Sequence, residues 1–285
     1  MINRLCVIGV GLIGGSFALA LKKAGYVKHV VGAGRNAERL QAAQQQGIID
    51  SFETDLVKAV KNADVVFVAV PIGSMEAVFR QMAPGLQDYT LITDAGSAKV
   101  SVINAAKSAL GARLKHFIPG HPIAGTEKSG HEAAFDSLYQ QRRVILTPLE
   151  QNPRAAIDVI RKLWQATGAE VDEMGARHHD LILAGTSHLP HVLAFSLVDC
   201  LNQVDDVDEI FRFAAGGFRD FTRIASSDPV MWRDICVYNR DAILAMMHQF
   251  ENELEHLKQA IDTGNADELL AIFSRAKKAR DDFCM

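Results

Sequence analysis

The sequence is poor in the features that mark several protein classes. Its 285 residues include only four cysteines, and none of them forms a paired spacing. Neither a disulfide framework nor a zinc knuckle is therefore predicted. No uninterrupted apolar run reaches the length of a membrane span, and the first residues lead directly into a strand without a secretory signal pattern. We expect a cytoplasmic protein that does not bind a membrane.

Neither sign of charge dominates the chain. Lysine and arginine number 30 and aspartate and glutamate 34, which leaves a net charge of −4. This balance argues against a general nucleic-acid-binding surface, so phosphate groups, if bound, must be held in a local pocket. The apolar fraction of 48% is ordinary for a globular chain of one large or two average domains.

Short apolar segments alternate with helical segments over the first part of the chain. Strands are predicted at residues 5–8, 29–33, 64–71, 90–94, 116–119, 143–147 and 170–172. Strands and helices in alternation predict parallel β-α-β units. From about residue 176 only helical periodicity remains. The fold class is therefore predicted as α/β, with a parallel-sheet domain over residues 1–174 and an all-helical domain over residues 175–285.

A glycine-rich loop follows the first strand and opens the first helix. The spacing Gly9-x-Gly11-x-x-Gly14 in this context predicts a Rossmann dinucleotide-binding site, in which the glycines permit a tight turn, a close approach of the pyrophosphate and close helix packing. A turn that is glycine-rich only for packing is the alternative. The residues expected to contact the cofactor in this region are Gly9, Gly11, Leu12, Ile13, Gly14, Val70 and Pro71.

The end of the second strand bears on the choice of cofactor. An NAD enzyme usually has a carboxylate there, about 20 residues after the loop, to bind the ribose 2′-hydroxyl. This chain instead has Gly34-Arg35-Asn36. A guanidinium beside a residue without a side chain favours a 2′-phosphate, so NADP is predicted, with NAD possible and a surface role for Arg35 as the alternative.

Three polar segments are candidates for the chemistry: residues 94–99 with Ser97, residues 119–127 with His121, and residues 187–191 with Ser187 and His191. His121 lies between a glycine and a proline just past a strand, where it faces a cleft, and histidine is the usual base for an alcohol proton. His178, His179 and His248 are expected to be structural, and His188 is left open. No convergent ligand spacing predicts a metal site.

Taken together, these segments resemble the prephenate/arogenate dehydrogenase family of tyrosine biosynthesis. The resemblance runs in order over nearly the whole chain. It is carried by Gly9-Val10-Gly11-Leu12-Ile13-Gly14-Gly15-Ser16, Asp94-Ala95-Gly96-Ser97-Ala98-Lys99, His121-Pro122-Ile123-Ala124-Gly125-Thr126-Glu127, Ser187-His188-Leu189-Pro190-His191 and Phe218-Arg219-Asp220-Phe221-Thr222-Arg223-Ile224-Ala225.

The resemblance implies an oxidative decarboxylation. Hydride leaves C4 of the substrate ring for the nicotinamide, a base takes the 4-hydroxyl proton, and loss of CO2 makes the ring aromatic. It implies that His121 and Ser97 contact the 4-hydroxyl and that the helical domain forms a homodimer. The residues implied at the substrate are Arg223, holding a carboxylate, with His191, Ser187, Thr126, Glu127 and Asp220 around it. Prephenate and arogenate both remain open as the substrate.

Two other functions fit parts of the pattern. A hydroxyacid or imine reductase shares this domain plan, but such enzymes commonly use a lysine in the first long helix of the second domain, where this chain has Ser187, His188 and His191. A non-catalytic sensor of NADPH would not need His121 at a strand edge together with Arg223.

Overall fold

The structure, a computed structural model, describes residues 1–126 and 128–284. The chain divides into two compact units, Met1–Arg240 and Asp241–Met285. The strands are β1 Ile2–Ile8, β2 Val27–Ala33, β3 Ser51–Glu53, β4 Val65–Val68, β5 Leu91–Asp94, β6 Gly120–Pro122, β7 Arg143–Leu146 and β8 Glu170–Glu173.

Helices follow most of the strands and make up the described chain after β8. They are α1 Leu12–Lys23, α2 Ala37–Gln45, α3 Leu56–Ala59, α4 Ile72–Met82, α5 Lys99–Leu110, α6 Arg154–Ala166, α7 Ala176–Leu183, α8 Leu189–Leu201, α9 Val207–Arg212, α10 Gly216–Thr222, α11 Pro229–Tyr238, α12 Arg240–Asp262 and α13 Ala266–Cys284.

Five strands form a parallel sheet in the order β3-β2-β1-β4-β5. The order reverses at β1, because β2 lies on one side of it and β4 on the other. The carboxyl edge beside such a reversal is where open α/β sheets bind ligands. The predicted Rossmann-type fold is thus confirmed, and β1 leads straight into the glycine loop at this edge.

The sheet is apolar on both faces, which explains the unbroken apolar runs in the sequence. Alternate residues of a strand point to opposite faces. In β1, Leu5 and Val7 join a core that contains Phe17 and Trp164, whereas Cys6 and Ile8 join a second core on the other side. Helices cover both faces, as parallel sheets require.

A second, three-stranded sheet has the order β6-β7-β8. Its first two strands are antiparallel, so the expectation of parallel strands throughout was wrong for β6. The predicted strand at residues 116–119 was also displaced, because the structure has only an isolated bridge from Phe117 to Ile92 there, and β6 begins at Gly120. A strand of three residues is too short to show an apolar pattern.

Residues 176–201 form a nearly continuous helical run. It consists of α7, a π-helical turn over Ala184–His188, and α8. By length and composition alone, this run is apolar enough to cross a membrane, which corrects the expectation that the chain has no such segment. One helix of this kind is a weak indication, because core helices of other proteins pass the same test. Asp180 and four histidines interrupt the apolar run in the sequence.

The second unit consists of α12 and α13. Both helices leave large apolar side chains exposed along their length. These are Leu244, Phe250, Leu254, Ile261, Leu270 and Phe273. The predicted domain boundary near residue 174 lies between β8 and α7, whereas the two compact units divide after Arg240.

Candidate active site

A cavity of about 980 Å³ lies in the first unit, at the carboxyl edge of the five-stranded sheet. The sheet contributes the loops after β1, β4 and β5, and the small sheet contributes β6. Helical segments after residue 176 close the other side. The wall includes Gly11, Leu12, Ile13, Val70, Pro71, Ser97, His121, Ser187, His188, His191, Arg223 and Trp232. Five of the residues predicted for the cofactor therefore share one cavity with residues predicted for the substrate, whereas Gly9 and Gly14 do not line it.

The three glycines of the loop differ in what a side chain would meet at each of them. Gly9 has a φ of +94°, and a Cβ there would lie 2.4 Å from the Ala69 carbonyl oxygen. A Cβ on Gly14 would lie 2.1 Å from the carbonyl oxygen of Gly9. A Cβ on Gly11 would meet nothing within 4 Å. The open space beside Gly11 and the start of α1 fit a pyrophosphate group.

The segment Gly34-Arg35-Asn36 follows β2 and does not line the cavity. Asn36 begins α2, because its Oδ1 accepts a hydrogen bond from the backbone N–H of Arg39 at 2.9 Å. This capping contact accounts for an asparagine at the position. Gly34 and Arg35 carry no carboxylate, and the Arg35 side chain is exposed.

His121 is the first member of a buried chain of hydrogen bonds. Its Nδ1 lies 2.9 Å from Nε2 of His179, and Nδ1 of His179 lies 2.8 Å from Oδ1 of Asp180. All three residues are buried, with exposed fractions of 9%, 0% and 4%. These hydrogen bonds connect β6 with α7, and the two histidines are 58 residues apart in the sequence.

The carboxylate of Asp180, the last member of this series of hydrogen bonds, determines which ring nitrogens of the two histidines carry protons. Asp180 also accepts the backbone N–H groups of Lys99 at 2.6 Å and Val100 at 2.9 Å, so it serves as an acceptor throughout. His179 must then donate from Nδ1, which leaves its Nε2 to accept from Nδ1 of His121. The remaining nitrogen of His121, Nε2, therefore carries the lone pair that a general base requires.

The surroundings favour the neutral form of His121. Burial lowers the pKa of His121 well below its ordinary value, and the nearby His179, Lys99 and His188 lower it further. A histidine that is neutral near pH 7 is ready to accept a proton.

His188 and His191 come from the π-helical turn and the start of α8. Asn239 donates to Nδ1 of His188 at 2.9 Å and to the Asp180 carbonyl at 2.9 Å. Burial lowers the pKa of His188 to about 4. The ring of His191 stacks on Trp232 with centroids 3.7 Å apart, and its Nδ1 donates to the Ser187 carbonyl at 2.8 Å.

The Trp232 ring also presents an unused donor. Its side chain is 7% exposed and lines the cavity, and Nε1 has no hydrogen-bond partner within the described part of the chain. Because His191 stacks on the Trp232 ring and His188 lies edge-on to it, this wall of the cavity is both aromatic and polar.

Two family models match the chain in consecutive segments. The nucleotide-binding domain of prephenate dehydrogenase matches residues 17–173, and its dimerization domain matches residues 175–275. The chain belongs to the prephenate dehydrogenase family.

Relatives agree with this membership over nearly the full length. The chain is 37% identical to prephenate dehydrogenase of Bacillus subtilis over 99% of its own length and 76% of that protein. It is 39% identical to cyclohexadienyl dehydrogenase of Zymomonas mobilis, covering 98% of this chain and 95% of that one. Prephenate dehydrogenase of A. aeolicus, solved with hydroxyphenyl propionate and NAD+, superimposes with a TM-score of 0.92 at 35% identity, covering 99% of both chains.

In this member of the prephenate dehydrogenase family, most of the predicted substrate residues line the cavity. These are Ser97, His121, Thr126, Ser187, His191 and Arg223. Asp220 does not line it and is exposed on α10. Glu127 lies outside the described residues.

Sequence reasoning missed several residues of this site. His179 was expected to be structural, but it contacts the candidate base directly. Asp180 and Trp232 were not singled out. A histidine followed by an aspartate at the start of a helix was the available signal, but nothing in the spacing connects it with a histidine on a distant strand. Within the described residues, no group of His, Cys, Asp and Glu side chains has an arrangement that would hold a metal ion.

Proposed function

We propose that this chain catalyses the oxidative decarboxylation of prephenate, arogenate or both, using a nicotinamide dinucleotide. The observation that carries the proposal is a buried histidine with a free Nε2, His121, in the same cavity as the glycine loop. The relatives named for this chemistry support it. The cavity of about 980 Å³ is within the size range of cofactor sites.

A dinucleotide fits the residues that are present. Gly11 leaves space for the pyrophosphate against the first turn of α1, and Leu12, Ile13, Val70 and Pro71 continue the same wall. The solved relative from A. aeolicus holds NAD+, which supports a cofactor of this class. For this chain we infer NADP, because none of residues 34–36 directly after β2 carries a carboxylate and Arg35 stands where a 2′-phosphate would be bound.

When bound, the nicotinamide would accept the hydride that leaves C4 of the substrate. Nε2 of His121 takes the proton of the 4-hydroxyl as the C4 carbonyl forms. The imidazolium that results is stabilised through His179 by the Asp180 carboxylate, in the same way that a carboxylate orients and stabilises the histidine of a catalytic triad. The ring carboxylate then leaves as CO2, and the electron pair of the broken bond makes the ring aromatic as the C4 carbonyl becomes a phenolate. The imidazolium of His121 returns its proton to this oxygen, which restores the neutral base.

The other cavity residues are proposed to hold the substrate. Ser97 lies on the loop after β5 and would hydrogen-bond the 4-hydroxyl. Arg223 would bind a substrate carboxylate with its planar pair of donors. Ser187, His191 and Thr126 would line the side-chain end. Asp220 and Glu127, which the family resemblance implies near the substrate, remain predictions.

The helical run from Ala176 to Leu201 bears on the alternative reductase function. Reductases of this domain plan commonly use a lysine in that helix, but this run contains none. Its cavity residues are instead Leu183, Ser187, His188 and His191. This composition favours the proposed reaction.

We also propose that the chain forms a homodimer through its helical part. The exposed apolar side chains of α12 and α13 support this, because contiguous apolar surface on a helix is usually covered in a stable assembly. The match of residues 175–275 to a dimerization domain agrees with it. Domains over residues 1–174 and 175–285 are part of the same proposal, and a cytoplasmic location stays a prediction.

The direct test is an absorbance assay at the reduced-nicotinamide band. The purified protein is mixed with NADP or NAD and with prephenate or arogenate in all four combinations. We expect reduced cofactor and an aromatic product in at least one combination, and faster reaction with NADP than with NAD. No signal in any combination, from a folded sample that binds the cofactor, would exclude the dehydrogenase function.

A further inference from the structure

A completely buried ion pair lies next to the candidate site. Lys99, the first residue of α5, has its Nζ 2.5 Å from Oδ2 of Asp94, and both side chains have an exposed fraction of 0%. The desolvation of two buried charges commonly offsets their attraction, so such a pair is weak evidence for stability. We therefore consider what the pair does for the neighbouring residues of the site.

The ion pair also holds the backbone of the segment that leads into β6. This segment lies beside β5, and its hydrogen bonds to β5 change from backbone partners to side-chain partners along its length. The backbone N–H of Ile118 donates to the Ile92 carbonyl of β5 at 2.8 Å. Two residues later, the N–H of Gly120 donates to Oδ1 of Asp94 at 3.1 Å, and the carbonyl of Gly120 accepts from Nζ of Lys99 at 2.6 Å. Both backbone polar groups of the residue before His121 are therefore held by the two members of the ion pair.

The same pair closes the loop that carries Ser97. Asp94 ends β5 and Lys99 begins α5, so the four residues between them form a loop whose ends are joined by the ion pair. Oδ2 of Asp94 also accepts the backbone N–H of Gly96 at 2.7 Å. Ser97, the next residue, lines the cavity.

We propose that the Asp94–Lys99 pair positions Ser97 and His121 relative to each other, with Lys99 as the residue that fixes the strand carrying His121. This rests on the proposed function, in which Ser97 and His121 act on the same hydroxyl. Lys99 is a positioning residue, since its Nζ contacts Asp94 and Gly120 and does not line the cavity.

The charge of Lys99 acts on His121 as well. Lys99 lowers the pKa of His121, together with burial and with His179 and His188. Burial lowers the pKa of Lys99 itself, whereas Asp94 and Asp180 raise it. Loss of the lysine charge should therefore move the acid limb of the rate profile to higher pH.

The test compares two lysine-to-methionine variants of the full chain. Lys99→Met removes the ammonium at the site. The control is Lys22→Met, because Nζ of Lys22 likewise joins an aspartate and a backbone carbonyl, Oδ1 of Asp50 at 2.6 Å and the Gly47 carbonyl at 2.9 Å. The side chains of this pair are 29% and 30% exposed, so the control matches the contacts of Lys99 but not its burial. None of these three control residues lines the cavity.

For Lys99→Met, we expect kcat to fall about 100-fold, because a small misplacement of reacting groups has effects of this size. The acid limb of kcat should move to higher pH, and the Kd of the cofactor should change less than threefold. Lys22→Met should keep kcat and the pH profile. A folded Lys99→Met protein with unchanged kcat and an unchanged acid limb overturns the proposal, as does an equal loss in both variants.

Two further measurements apply if Lys99→Met does not fold. Lys99→Gln keeps a polar group one bond closer to the backbone, and a folded Lys99→Gln protein with the kcat of the unaltered enzyme also contradicts the proposal. In the unaltered protein, the Gly120 amide should exchange its hydrogen at least about 100-fold more slowly than the amide of exposed Thr126. Similar exchange rates would show that the hydrogen bond from the Gly120 N–H to Asp94 does not form, and would contradict the proposal. The unaltered enzyme is assayed first, so that lack of any dehydrogenase activity is recognised as failure of the proposed function and not of the positioning role.

Discussion

His121 and His179 lie in direct hydrogen-bond contact, with Nδ1 of one 2.9 Å from Nε2 of the other and their rings at an angle of 65°. The contact joins a strand of the small sheet to the first helix after the α/β part of the chain. Since His179 is anchored by Asp180, the contact determines which nitrogen of His121 is free. The orientation of the candidate base therefore depends on how α7 packs against the start of α5.

Replacement of His179 tests this dependence. His179→Phe keeps an aromatic ring but removes the acceptor for Nδ1 of His121. We expect kcat to fall by at least about tenfold, with KM nearly unchanged. The loss should be smaller than that of a variant without the base His121, for which a fall of about 10²- to 10⁴-fold is expected. The adjacent His178 is exposed, and His178→Phe is the matched control, which should retain full activity. Steady-state kinetics of both variants check the prediction, and equal effects would contradict it.

The buried histidines predict a loss of stability in mild acid. The pKa values of His121, His179, His188 and His191 are all lowered, chiefly by burial, so below about pH 6.5 the unfolded chain binds more protons than the folded one. The free energy of unfolding should therefore be greatest above pH 6.5 and should fall as the pH falls toward 4. For His188, a pKa lowered from 6.5 to about 4 corresponds to roughly 3 kcal/mol.

Denaturant unfolding between pH 4 and pH 8 measures this dependence. His188→Asn keeps an acceptor for Asn239 and cannot be protonated, so it should flatten the curve between pH 6.5 and pH 4. His248 is exposed on α12, and His248→Asn should leave the curve as it is. A curve that is equally steep in the unaltered protein and in His188→Asn would show that His188 is not the source of the loss.

Two glycines of the loop should respond differently to alanine. A Cβ on Gly14 would lie 2.1 Å from a backbone oxygen, so Gly14→Ala should destabilise the fold by about 1–3 kcal/mol. A Cβ on Gly11 meets nothing within 4 Å, so Gly11→Ala should keep the melting temperature but weaken cofactor binding at least about tenfold. Thermal unfolding and cofactor titration separate the two effects. A Gly11→Ala protein with unchanged cofactor affinity would place the pyrophosphate elsewhere.

Arg35 should distinguish the two cofactors. Arg35→Ala should raise the Kd of NADP by about 10- to 100-fold, because the loss of a hydrogen bond to a charged group weakens binding by a free energy of this order. The Kd of NAD should stay nearly unchanged. Arg80 is exposed on α4 and paired with Glu76, so Arg80→Ala serves as a control for the loss of one surface charge. Equal changes for NADP and NAD would refute the assignment of the 2′-phosphate to Arg35.

The parts of the fold that could be predicted are those with strong local signals. Continuous apolar runs located β1 and β4, and glycine spacing located the loop, because both depend on a few adjacent residues. β6 could not be predicted, since three residues pair with a distant strand. Asn36 was expected to contact the cofactor, and this stays a prediction; the role of its side chain as the residue that begins α2 was not foreseen.

The candidate site was predictable to a similar degree. His121 stood out because a histidine between glycine and proline after a strand has few structural uses. His179 and Lys99 did not, because their roles follow from contacts with His121 and Gly120 that only tertiary packing creates. Buried groups that act through a neighbour leave no spacing pattern in a single sequence.

The most direct test of the account is the turnover of His121→Asn with the preferred substrate and cofactor. If Nε2 of His121 takes the hydroxyl proton, kcat should fall by about 10²- to 10⁴-fold while the Kd of the cofactor stays nearly the same. An effect confined to KM, with kcat unchanged, would contradict the role of His121 as the base.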